Sequence, residues 1–291
     1  MNDLFSRLGQ IVLASLPLLT TACTTLAFTL ANAPTHFEEM TVVRNQAYGP
    51  MPSHLLDIYI PASAVNQPRE VIVFFYGGRW TDGTKDDYRF VGATFANRGY
   101  IVVIPDYRKY PDVRFPTFVE DGARAVAWVH DHIGDLHGDP SHIHIAGHSA
   151  GAHIGALLTA DEHYLAAIGK VRSAVIHDFV GLAGPYAFTP KDPDLQDLFG
   201  PPTNYPNMQV TTFIDGAQPP MLLLYGKTDT KVNPYNLEKL RQRITEQGGC
   251  VRAITYPEIG HSGLLAALSW LNPGSVPVVD DMTKFFHSCD R

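Results

Sequence analysis

Four apolar runs constrain this chain most: Val71 to Phe75, Tyr100 to Pro105, Ile143 to Gly147 and Met221 to Gly226. They are short, nearly continuous and rich in Val, Ile, Leu and Phe. Strands of that kind are buried on both faces, which is the condition of a largely parallel sheet covered on each side. The stretches between them have helical character. Asp86 to Gly99 stops on a glycine, Phe118 to Ile133 is a second such stretch, and Pro234 to Gly249 opens on proline and closes on Gly-Gly. Alternating strand and helix predict an α/β chain, doubly wound, with a mostly parallel central sheet and helices on both faces. One further run, His54 to Ile60, alternates in the manner of a half-exposed strand.

The segment Ala183 to Pro220 breaks this rhythm. It holds eight prolines, and Tyr186, Phe188, Phe199, Tyr205 and Phe213 are scattered along it. A structureless connection of that length is uncommon in a compact domain and usually functional. It is read as a short cap insertion over the sheet within one domain spanning 34–291.

The first 33 residues read as a leader. Arg7 precedes the apolar stretch Ile11 to Leu19, which is too short to span a bilayer but suits the core of a signal peptide. Two processing readings stand open. Thr20 to Cys23 resembles a lipobox, with Thr20 where an aliphatic residue is usual, and would place a lipid anchor on Cys23 at a membrane. Ala31 to Ala33 satisfies the small-x-small rule but is followed by Pro34. Both predict an exported protein, periplasmic or membrane-anchored; an uncleaved anchor or cytoplasmic form is the remaining alternative. In an oxidising compartment Cys250 and Cys289 form an even pair, so a disulfide between them is one expectation and two free thiols the other. The net charge of −7 argues against a nucleic-acid partner. No nucleotide fingerprint and no spaced His/Cys/carboxylate set stands out in the sequence, so neither cofactor nor metal is expected.

The chemistry concentrates at Ile143 to Leu158. An apolar strand runs into Gly147-His148-Ser149-Ala150-Gly151, then into an Ala/Leu-rich helix. This G-x-S-x-G turn is a nucleophile elbow. A strained turn at the strand end lifts Ser149 Oγ above the sheet, and small flanking residues let strand and helix approach. A serine hydroxyl is a poor nucleophile at neutral pH, so it needs a base and an orienting carboxylate. Asp229 stands just past the strand Met221 to Gly226. His261 stands on a loop after Val251 to Pro257. The order Ser149, Asp229, His261, each at a C-terminal strand end, is that of a hydrolase triad. Of the 13 histidines, His148 and His153 flank the serine and read as packing or supporting groups. His142 and His144 alternate on a strand, and His287 lies near the C-terminus.

Together with the Gly77-Gly78-Arg79-Trp80 stretch and the intervening run Ile104 to Val129 ("IPDYRKYPDVRFPTFVEDGARAVAWV"), the elbow resembles the α/β-hydrolase superfamily over roughly residues 55 to 287. The similarity is to the esterase branch that includes hormone-sensitive-lipase-like carboxylesterases and kynurenine formamidases. The resemblance implies an α/β-hydrolase fold and a serine esterase acting on a small-molecule ester. It implies an oxyanion hole from the N–H groups of Gly78, Arg79 and Ala150, and architectural roles for Asp106, Tyr107, Arg108 and Asp121. The family has histidine where this chain has Tyr76. Trp80 is expected to anchor the loop by packing, and the Arg79 guanidinium to face solvent or, less favoured, a leaving group. An arylformamidase is the nearest alternative activity, and a catalytically silent binding module a more distant one.

Overall fold

The computed structural model describes residues 25–63 and 67–286. The leader core at 11–19, Cys23, His287 and Cys289 lie outside the described residues, and with them the anchor and the second half of the expected disulfide. Cys250 is exposed, one residue before the last strand.

Eight strands form one sheet: β1 (Met40–Ala47), β2 (Leu55–Pro61), β3 (Arg69–Phe75), β4 (Ile101–Pro105), β5 (Gly138–His148), β6 (Asp178–Leu182), β7 (Met221–Gly226) and β8 (Val251–Tyr256). Their spatial order is β1-β2-β4-β3-β5-β6-β7-β8. Only the β1–β2 and β2–β4 pairings are antiparallel, so β2 alone runs against the rest. The four apolar runs become β3, β4, the core of β5 and β7, the centre of the sheet. Two strands escape the sequence pattern. β1 is an edge strand with mixed burial, and β6 is a five-residue strand buried throughout. Recognising β1 also corrects β2. The expected half-exposed strand is buried from Leu56 to Tyr59, because it lies between β1 and β4 and under the helix that follows β3.

The main helices after β1 are α1 (Arg89–Ala96), α2 (Thr117–His132), α3 (Ala150–Ala160), α4 (Pro193–Phe199), α5 (Tyr235–Glu246), α6 (His261–Ala266) and α7 (Val278–Phe286), with several shorter helical turns. Successive strand residues point to opposite faces, and β3 shows what covers each. Phe75 reaches Gly122 of α2, whereas Phe74 packs on Tyr88 at the head of α1. Helices therefore cover both faces, as the apolar runs require.

Residues 183–220 are not structureless. They contain α4 and turns at Pro202–Asn204, Tyr205–Met208 and Val210–Phe213. Proline within the first two positions disguises three of the four as loops, and Val210–Phe213 is too short for a hydrophobic period to develop. Residues 25–33, assigned by sequence to the leader, pack on the body: Phe28 lies 5.1 Å from Tyr88, Ala31 is buried, and Asn32 bonds the backbone of Asp87 and Phe90.

Candidate active site

The elbow sits where β5 enters α3. Ser149 has φ 55° and ψ −119°, a left-handed conformation that costs a non-glycine residue about 1–3 kcal/mol. Neighbours impose it: Ser149 N–H donates to Leu182 O at 2.9 Å, and His153 N–H donates to Ser149 O at 3.1 Å. The two flanking glycines are required by contact. A Cβ on Gly147 would sit 2.5 Å from Gly151 O, and one on Gly151 would collide with the carbonyls of Phe75 and Tyr76.

Asp229 follows β7, and His261, expected on a loop, is the first residue of α6 after β8, the two strands beyond β6. Lys227 N–H donates to Tyr256 O at 2.8 Å and Thr228 N–H to Ile259 O at 3.1 Å, clamping the two loops together. His261 Nδ1 then lies 2.8 Å from Asp229 Oδ2. The other carboxylate oxygen accepts from Lys231 N–H at 2.7 Å and Val232 N–H at 2.9 Å. Three donors thus fix a side chain with no solvent exposure, while His261 remains 15% exposed. His148, next to the serine, places its ring 4.6 Å from that of His261, and its Nε2–H donates to His261 O at 3.1 Å. Burial drives the His148 pKa down to about 3, so its ring stays neutral beside the serine. His153 is equally buried, its pKa lowered to about 4, and its Nε2–H donates to Met208 O at 2.8 Å, tying α3 to the insertion. Both histidines therefore support the site's walls, as expected.

After β3 the chain makes an unusual bend. Gly78, Arg79 and Trp80 have φ of 132°, 56° and 62°. Gly78 O closes the bend by accepting from Thr81 N–H at 3.0 Å and Asp82 N–H at 2.9 Å. The N–H groups of Gly78 and Arg79 have no backbone partner among the described residues. The loop presses on the elbow, since a Cβ at Gly77 would lie 3.1 Å from Ser149 Cβ. Trp80 anchors it: the indole is buried, stacks on Phe188 at 5.8 Å and meets Phe199 edge-on at 4.9 Å. The Arg79 side chain is solvent-exposed, as expected, and it also makes ion pairs that the sequence did not suggest. Its guanidinium pairs with Asp192 at 2.8 Å and Asp194 at 2.9 Å, both at the start of α4. Arg114 pairs with Asp197 on the same helix, at 2.6 Å. The sequence does not show that the insertion folds back over the loop, so these partners were not readable from it.

Tyr76 replaces the resembled histidine with a different hold. Its ring is buried between Tyr107, at 4.8 Å, and Tyr88, at 5.2 Å, and its O–H donates to Asp106 Oδ1 at 2.6 Å. Tyr107 O–H donates in turn to Tyr76 O at 2.9 Å. Burial pushes the Tyr76 phenol well above its usual pKa, so it remains a donor. Asp121 accepts from the Arg108 guanidinium at 2.7 Å and lies 3.0 Å from His54 Nε2. These contacts bear out architectural positions for Asp106, Tyr107, Arg108 and Asp121.

A protein-family model, BD-FAE, matches residues 56–244, which contain the loop, the elbow and Asp229. The chain belongs to the BD-FAE family. His261 lies beyond the matched span. Among curated relatives, a probable isoprenylcysteine alpha-carbonyl methylesterase of Oryza sativa subsp. japonica is 34% identical over 52% of this chain and 37% of its own length. The esterase LipC of Mycobacterium tuberculosis is 33% identical over 49% of this chain and 36% of its own. The matches thus span little more than a third of those relatives. The BD-FAE fold extends to solved structures: Thermogutta terrifontis esterase 2 superposes with a TM-score of 0.70 at 21% identity, over 87% of this chain and 96% of that one. A carbohydrate esterase from gut microbiota does so with the same TM-score and identity, over 85% and 95%. At that identity the likeness is one of fold, and it is the α/β-hydrolase fold.

Proposed function

We propose that this BD-FAE protein is a carboxylesterase-type serine hydrolase that cleaves small to medium acyl esters through an acyl-enzyme. The observation that carries the reading is the His261–Asp229 pair, 2.8 Å apart, with the His261 ring 4.6 Å from that of His148, the residue before the serine of a strained elbow. In the mechanism, Asp229 accepts from His261 Nδ1–H and so presents the Nε2 lone pair. Nε2 takes the proton from Ser149 Oγ as the oxygen attacks the ester carbonyl. The tetrahedral oxyanion is held by the N–H groups of Gly78, Arg79 and Ala150, two from the bend after β3 and one from the first residue of α3. Each such donor contributes on the order of 3 kcal/mol of transition-state stabilisation. His261 then gives its proton to the leaving alkoxide, and water repeats the cycle on the acyl-enzyme. The names of the esterase relatives support the reaction class.

The test is a fluorophosphonate probe with mass analysis, alongside a panel of p-nitrophenyl esters of increasing acyl length. The probe should add one mass increment per chain at Ser149, and Ser149→Ala should abolish both labelling and turnover. A folded Ser149→Ala variant that keeps most of the ester turnover overturns the mechanism. Including N-formylkynurenine in the panel separates ester from formamide cleavage.

A further inference from the structure

The far end of the sheet carries a second cluster of reactive side chains, which the esterase chemistry does not use. His144 of β5 is paired in register with Asp178, the first residue of β6. His144 Nδ1 lies 2.9 Å from Asp178 Oδ2, and His177 Nδ1 lies 3.1 Å from the same oxygen. The three donor atoms lie within 4.8 Å of one another. On the other side of the His144 ring, Nε2 is 3.2 Å from Glu70 Oε2. We propose that His144, His177 and Asp178 bind a divalent cation, zinc by the chemistry of the donors, where the start of β6 meets the middle of β5.

Two imidazole nitrogens and one carboxylate oxygen, with a place left for water, are a zinc donor set. Tetrahedral ligation at about 2.0–2.1 Å puts the donors about 3.3 Å apart. The spacings to Asp178 Oδ2 are close to that, so small shifts admit the ion. Three further features are compatible with a cation at this cluster. Two rings aim at one oxygen of Asp178, while its Oδ1 is buried without a hydrogen-bond partner among the described residues. His144 faces a carboxylate at each ring nitrogen, which an imidazolium satisfies with two N–H groups and which a neutral ring, with one, satisfies when a cation takes Nδ1. With zinc on Nδ1, the Nε2–H donates to Glu70, the carboxylate–histidine–metal arrangement that orients a ligand ring. Finally, His144 and Asp178 have no solvent exposure, with Phe286 of α7 stacked on the imidazole at 4.2 Å. A buried carboxylate needs compensating charge. His177, 19% exposed, leaves the entrance.

The site lies five residues before Ser149 on β5, about 16 Å along a strand. At that distance the site takes no part in the esterase chemistry, and the ion would join β5 to β6 and, through Glu70, β3. The test uses the full chain without a histidine tag, stripped with a chelator and titrated with zinc ion alone, read by calorimetry, thermal melting and the visible absorption of a cobalt(II) substitute. One zinc per chain and a raised Tm are expected, with a tetrahedral cobalt spectrum. His177→Ala should weaken zinc binding at least tenfold, and Glu70→Gln about 10–100-fold. Fluorophosphonate labelling at Ser149 should be the same in all forms, so an inactive serine and an absent metal site give different results. No zinc uptake by folded chain, or wild-type affinity in His177→Ala, would assign the cluster to proton-held ion pairing and overturn the proposal.

Discussion

Replacing Tyr76 with phenylalanine removes one hydroxyl and leaves the ring stack between Tyr88 and Tyr107 in place. The lost contact is short, 2.6 Å, and made to a carboxylate. Hydrogen bonds to charged groups contribute about 1.5–3 kcal/mol net. Asp106 Oδ1 keeps a second donor, the Lys85 N–H at 2.9 Å, so it is not orphaned. The expected cost is therefore about 2 kcal/mol, or a fall in Tm of about 5 °C for a chain of this size. Tyr76 is followed directly by Gly77, whose backbone abuts the elbow, so loosening the residue also loosens the oxyanion loop. A roughly tenfold fall in kcat with little change in KM is expected for a p-nitrophenyl ester, because the loop's donors act in the transition state. Urea unfolding, thermal melting and steady-state kinetics on the same samples give both quantities. Wild-type Tm together with wild-type turnover in Tyr76→Phe would refute the claim that the hydroxyl holds the loop. Tyr76→His restores the residue implied by the family resemblance, but its shorter ring does not reach Asp106 from the same position. It should be less stable than the phenylalanine variant. A stable and faster Tyr76→His would instead show that tyrosine limits the loop's catalytic geometry.

Asp229→Asn should lower kcat on the order of 10⁴-fold with the fold intact, since the amide oxygen can still accept from Lys231 and Val232 while its NH₂ faces His261 and enforces the wrong tautomer; stopped assays over long times measure this. Arg79→Gln should change stability by less than about 1 kcal/mol in urea titrations, because its partners Asp192 and Asp194 are solvent-exposed, and turnover should fall less than in Tyr76→Phe, since the main-chain N–H is retained. Gly151→Ala should cost about 3 kcal/mol or more, because the new methyl meets backbone of β3 that has no room to move. Acid should destabilise the protein through His148 and His153. Both have pKa values lowered from 6.5, to about 3 and about 4, so they contribute stability above pH 6.5 that is lost as pH falls towards those values. Together the loss is about 4 kcal/mol between pH 7 and pH 5. His153→Gln, which keeps a donor for Met208 O without titrating, should halve the pH dependence of the urea midpoint.

What was legible in the sequence was local or periodic. Central strands buried on both faces announce themselves by unbroken apolar runs, and the elbow by glycines spaced around a serine. Asp229 and His261 were readable because each follows a strand end in an expected order. The edge strand β1 and the short β6 were not, since mixed burial and five residues leave no distinctive period. The partners of Arg79, Tyr76 and His144 were not readable either, for each depends on where a distant segment returns.

By itself, then, the sequence determined an α/β chain with its strand–turn–helix nucleophile motif, because those features arise from side-chain periodicity and backbone sterics within a few residues. Tertiary structure alone decided which groups meet across the sheet. It brought His261 to Asp229, separated by 32 residues, and Arg79 to Asp192, separated by 113. It also set His144 against Asp178, 34 residues away. Such contacts are fixed by strand order and loop closure, and neither quantity is encoded in any short window of the chain.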